Sequence, residues 1–87
     1  MVERSVVVRL PLGLHARPAA ELAVLAARFT AAVWLVRDGI AANAKSVLEL
    51  MSLAVEHGTT VVVQAEGEDA DEAVLRVADF LQRAEEG

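Results

Sequence analysis

The 87-residue chain has no cysteine and no tyrosine, and only two phenylalanines, one tryptophan and two prolines. Without cysteine, no disulfide can staple so small a domain, and burial of apolar groups must hold it together. Three aromatic side chains make no stacking platform for bases, and a formal charge of −5 has the wrong sign for a phosphate backbone. Nucleic-acid binding is therefore not expected. Long apolar runs are missing too. Glu21, Arg28 and Arg37 interrupt the most hydrophobic stretches. None of these stretches reaches the roughly 20 residues of a spanning helix. Met1 is followed by Glu3 and Arg4 rather than by a basic region and an apolar run, so no secretory signal is expected. A cytoplasmic protein without membrane insertion is the expectation.

What is there is small and branched. Hydrophobic residues make up 55% of the chain, with 17 Ala and 14 Val among them. That excludes disorder and suits one modest core, hence a single domain over residues 1–87. The charge is uneven. Residues 1–53 carry a net +2 and residues 54–87 a net −7. The amino-terminal half is accordingly the one expected to meet an anion or an acidic partner.

Strands and helices alternate. Residues 3–9, around Val6-Val7-Val8, read as a strand, and Pro11 and Gly13 break it. From Pro18 to Phe29 the composition turns to Ala and Leu, a helix with proline in its first turn, where an amide lacks an intrahelical acceptor. Residues 31–37 form a second strand, Asp38-Gly39 a hairpin turn, and Ile40 to Ala42 a short third strand. Ser46 and Glu49 fit a capping box opening a helix from Val47 to about Val55, with His57-Gly58 closing it. Thr59 to Glu66 is the fourth strand. Asp69 and Glu72 form a second cap pair before a helix with apolar residues at i, i+3, i+4 spacing to about Arg83. Glu85-Glu86-Gly87 should fray. The order β-α-β-β-α-β-α predicts an α+β two-layer sandwich: a four-stranded antiparallel sheet with three helices on one face. Trp34 reads as strand packing, and His57 as a helix-terminal histidine.

The first stretch with chemistry is Gly13-Leu14-His15-Ala16-Arg17-Pro18. It places a histidine at the start of a helix, where unpartnered amides and the helix dipole favour an anion. Arg17 adds a guanidinium suited to phosphate. Imidazole is a competent nucleophile near neutral pH, so His15 could carry a phosphoryl group that these donors stabilise. A plain loop histidine beside a solvated arginine is the alternative that this pattern leaves open.

Residues 13–20, Gly-Leu-His-Ala-Arg-Pro-Ala-Ala, resemble the active-site signature of HPr, the histidine-containing phosphocarrier family of the sugar phosphotransferase system. Residues 44–53, Ala-Lys-Ser-Val-Leu-Glu-Leu-Met-Ser-Leu, resemble the family's serine-site signature, at matching spacing. The resemblance implies that His15 accepts a phosphoryl group on Nδ1 from phosphorylated enzyme I and passes it to the IIA component of a sugar transporter. Arg17 would neutralise the phosphate, and the amides of Ala16 and Arg17 would cap it. No cofactor is implied, and any Mg²⁺ would belong to enzyme I. Ala20, Val47, Leu48 and Met51 match positions at which the family docks partners. Ser46 matches a regulatory phosphorylation site served by a serine kinase in part of the family. A cap role for Ser46 stands beside that reading, and Glu49 one turn on would oppose a phosphate there. Leu12 and Ala27 depart from polar and basic residues of some relatives.

The helix from Val47 carries more apolar residues than one face can bury, which independently suggests an exposed docking patch. The runner-up function is a phosphocarrier of a nitrogen-linked branch, or a Ser46-phosphorylated corepressor of a transcription factor. An RNA-binding module would need exposed aromatics, and a metal carrier would need Cys or clustered His. A stand-alone enzyme is not expected, since no second general base is evident. A monomer is the expected state.

Overall fold

The computed structural model describes residues 1–83, so the expected fraying of Glu85-Glu86-Gly87 lies outside the described residues. The elements run β1 (Val2–Val7), α1 (Ala16–Ala26), β2 (Ala32–Arg37), β3 (Ile40–Asn43), α2 (Val47–Ser52), β4 (Thr60–Glu66) and α3 (Ala70–Leu81). The expected β-α-β-β-α-β-α order holds. The four strands form one antiparallel sheet in the order β1-β4-β2-β3.

Alternation along the strands sorts side chains onto two faces. Register brings Val6 opposite Val61, Leu35 opposite both Val63 and Ala42, and Val33 opposite Ala65. All of these are buried, and together they make the inner face. Each such valine or leucine contributes about 1.5–3 kcal/mol on burial. The outer face carries Ser5, Trp34, Val36, Val62 and Gln64, exposed or half-buried. Trp34 packs on this open face, outside the main core. The helices cover the inner face with small side chains: Ala19, Leu22, Ala23 and Ala26 from α1, and Ala70, Ala73, Val77 and Ala78 from α3. The abundance of alanine noted in the sequence lets these helix backbones approach the sheet and one another.

The Asp38-Gly39 turn has positive φ at both residues, 51° and 80°, as a two-residue hairpin requires. The boundaries move where distant parts of the chain intervene. The first strand ends at Val7 rather than Arg9, because Val8 bonds Thr59 and Gly58 while the Arg9 amide donates to the Leu81 carbonyl. The α1 helix starts at Ala16 and ends at Ala26, and Arg28 and Phe29 follow in tighter i→i−3 turns.

The α2 helix stops at Ser52, three residues short of the expected Val55. Ala54 takes a left-handed φ of 53°, and the Arg37 guanidinium donates to the carbonyls of Leu53 and Ala54. His57 therefore sits in the turn before β4 and is not helix-terminal. Asp69 is the N-cap residue of α3, as expected, but its side chain makes no cap hydrogen bond. Its carboxylate accepts from the Thr30 amide at 3.0 Å, the Ala31 amide at 2.8 Å and the Thr30 hydroxyl at 3.2 Å, tying the start of α3 to the segment after α1.

Candidate phosphate-accepting site

The loop from Val8 to His15 is anchored at several points. Leu10 and Leu14 are buried, the Gly13 amide closes a turn on the Leu10 carbonyl, and the Leu14 amide donates to the Val55 carbonyl at 2.9 Å. Gly13 has φ +71°, and a Cβ there would meet the Val55 carbonyl oxygen and lie 2.7 Å from Glu56 Cα. Only glycine fits this backbone against that neighbour. The loop thus delivers the next residues to a fixed place.

That place is the start of α1. His15 is the N-cap residue in extended conformation, half-buried, and the first i→i−4 bond of the helix runs from the Ala19 amide to the His15 carbonyl at 2.9 Å. The amides of Ala16 and Arg17 precede that bond, and Pro18 has no N–H. Two amides therefore point out of this helix end. The first turn holds no acidic residue that would oppose an anion. The Arg17 side chain is largely exposed, with Nε 3.8 Å from the Glu21 carboxylate one turn on. This is a long, solvated pair that an incoming phosphoryl group could outcompete. Histidine, two amides and a guanidinium at one helix end can accept a phosphoryl group and hold its oxygens by fixed donors.

Beside this loop stands α2, which packs on α1. Its Leu50 is fully buried, while Val47, Met51 (43% exposed) and Leu48 (81% exposed) face outward. Ala20 is exposed on α1. Leu12, 75% exposed on the loop itself, extends the apolar surface. In the sequence it stands out only by its departure from a polar position of some relatives.

Ser46 is the N-cap of α2, its Oγ accepting from the Glu49 amide at 3.2 Å. The second half of the expected capping box is absent: the Glu49 carboxylate accepts from the Asn43 amide at 2.9 Å instead. Lys45 Nζ donates to the Phe29 carbonyl at 2.8 Å and closes the end of α1. Two cations of the net-positive half, Lys45 and Arg37, are thereby engaged with backbone carbonyls. Among the described residues, the one clear pKa displacement is that of Asp69, held below the usual carboxylate range mainly by the backbone N–H groups of Thr30 and Ala31. It lies at the α1–α3 join, away from His15 in the chain.

Residues 2–83 match the family described as "PTS HPr component phosphorylation site". The HPr-like protein Crh of Bacillus subtilis is 51% identical over 82 residues, covering 94% of this chain and 96% of that one. The phosphocarrier protein HPr of Mycoplasma genitalium is 36% identical over 84 residues, covering 95% and 96%. Among solved structures, HPr of Bacillus anthracis superposes with a TM-score of 0.91 at 42% identity, covering 93% of this chain and 96% of that one. Crystalline Bacillus subtilis Crh gives 0.78 at 48% identity over the whole of both chains. That Crh structure is described as an intertwined dimer with a swapping domain, so the monomer expected from sequence is not the rule for every relative. Fold, site signature and length agree, and the chain belongs to the HPr family. It is an HPr-type phosphocarrier of the phosphotransferase system.

Proposed function

We propose that His15 accepts a phosphoryl group from phosphorylated enzyme I and transfers it to IIA components of sugar transporters, in the cytoplasm, with no cofactor of its own. The observation that carries this reading is the placement of His15 at the N-cap of α1, beside the Ala16 and Arg17 amides and with no acid in the first turn. In the forward step His15 Nδ1 attacks phosphorus. The new N–P bond forms as the bond to enzyme I breaks, and enzyme I keeps that electron pair. The amides of Ala16 and Arg17 and the Arg17 guanidinium stabilise the equatorial oxygens. The reverse geometry delivers the group to the IIA acceptor. Catalysis rests on positioning and fixed charge, and the protein is a carrier rather than a stand-alone enzyme. Ala20, Val47, Leu48 and Met51 form the docking surface, one adaptable enough to serve several partners.

A second reading is favoured by the 51% identity to Crh, whose solved structure is described as a catabolite repression protein. In it, a serine kinase phosphorylates Ser46 and the product serves as corepressor of a transcription factor. A phosphate at this N-cap would meet the start of α2 favourably and the neighbouring Glu49 carboxylate unfavourably. A nitrogen-linked branch would use the same His15 face.

Incubation with phosphoenolpyruvate and enzyme I tests the primary reading. An acid-labile phosphate on the wild type, absent from His15→Ala, is expected. Acid-labile label surviving in His15→Ala would overturn it. Acid-stable phosphate confined to Ser46 in protein from native cells would favour the corepressor.

A further inference from the structure

The acidic carboxy-terminal half contains two cations, Arg76 and Arg83, and they are not scattered. They stand seven residues apart, on and just after α3, which places them on one face two turns apart. The α1 helix packs on α3 and brings Arg28, just past its own end, to the same place. The three arginines line a groove of about 230 Å³ with Glu21, Val24 and Phe80. Arg17 does not line it, so the groove is distinct from the His15 loop.

Its lining is mainly polar, with a cationic rim and apolar contacts from Val24 and Phe80. Phe80 is buried, and the Arg83 guanidinium carbon sits 4.7 Å from its ring centroid. This contact fixes the cation over the ring and leaves its edge donors available. Val24 supplies an exposed aliphatic wall. Arg76 has a long 3.8 Å contact to Glu72, in which both side chains are about half or more exposed and the attraction is small. Arg28 makes no ion pair among the described residues. Arginines that merely solvate a surface would lie apart, because like charges repel. Here three converge on one concavity against a single lining carboxylate among the described residues, for a lining charge of +2 there.

We propose that this groove binds a phosphate monoester dianion, the phosphorylated end of a small molecule. Its phosphoryl oxygens take the planar donor pairs of Arg28 and Arg76, and its carbon skeleton lies along Val24 and the Phe80–Arg83 pair. A monoester carries close to two negative charges at pH 7, which matches the lining charge, and guanidinium pairs suit its oxygens. Glu21 opposes the ligand and also contacts Arg17 at 3.8 Å.

The test is an NMR titration with phenyl phosphate on the ¹⁵N-labelled His15→Ala protein. That background isolates the groove, so the outcome is independent of whether His15 is the phosphoryl acceptor. Saturable shifts are expected at the Arg28, Arg76 and Arg83 side-chain Nε–H groups. Affinity should fall about tenfold in Arg76→Gln and in Arg28→Gln, each removing one charge-assisted contact, and rise in Glu21→Gln. Thermal melts of the variants establish that they are folded. Shifts confined to residues 13–18, a response linear in ligand, or unchanged affinity in both arginine variants would overturn the proposal. Equal affinity for inorganic phosphate would overturn the choice of a monoester.

Discussion

Replacing Gly13 with alanine adds one methyl group at the point where the His15 loop meets the segment after α2. Two costs follow from the structure. The residue keeps φ at +71°, which for an L side chain costs about 1–2 kcal/mol. The new Cβ would also meet the Val55 carbonyl oxygen and approach Glu56 Cα to 2.7 Å. These are backbone atoms that cannot rotate away, and relieving the overlap costs about 1–3 kcal/mol. Alanine restricts the unfolded chain and returns about 0.4–1 kcal/mol. The net loss is about 1–5 kcal/mol, which in a domain of this size lowers Tm by about 4–40 °C. Urea unfolding and calorimetry measure it. Phosphoryl acceptance should fall as well, since the strained loop carries His15 two residues on. A stability loss below about 0.5 kcal/mol would mean that the loop does not adopt this left-handed, closely packed conformation, and the reasoning would fail.

Three further outcomes follow. Ala54→Gly relieves a left-handed alanine at φ 53°, so it should raise stability by about 0.5–1 kcal/mol, seen as a higher urea midpoint at unchanged m-value. Asp69 binds its proton less readily in the folded protein than in the unfolded chain. Its contribution is fully present above the ordinary carboxylate pKa of 3.8 and is lost as pH falls through the lowered folded value. Acid unfolding of Asp69→Asn should lack that component of the pH dependence, and identical acid profiles would remove Asp69 from the account. Met51→Glu puts a charge on an apolar position that is 43% exposed, and calorimetry with enzyme I should show weaker binding while Tm changes little. A large drop in Tm would place Met51 in the core.

The sequence made element order legible because β1, β2 and β4 carry β-branched residues and most breaks contain Gly, Pro, Asn or Asp, while β3 is marked by the Asp38-Gly39 turn before it. It also made the His15 site legible, because that site is local: loop, N-cap and Arg17 lie within one turn of helix. What it hid depends on contacts across the fold. The α2 helix ends early because Arg37, sixteen residues away, holds the carbonyls at its end. No local pattern announces that. Asp69 followed by Glu72 reads as a cap pair, yet the Asp69 carboxylate reaches 39 residues back to Thr30. Ser46 and Glu49 read as a full capping box, and Asn43 takes the Glu49 side chain instead. Summing charge by halves pointed to the amino-terminal half as the anion-seeking one, but two of its cations hold backbone carbonyls. Only the packing of α1 on α3 gathers Arg28, Arg76 and Arg83.

The central claim is that the chain carries a phosphoryl group both in and out on His15. It is tested most directly by isolating the phosphorylated protein, free of enzyme I and phosphoenolpyruvate, and mixing it with a stoichiometric excess of a IIA domain. The account predicts that acid-labile label leaves His15 and appears on the IIA protein. Label that stays on this chain, or that resides on a residue other than His15, would contradict it.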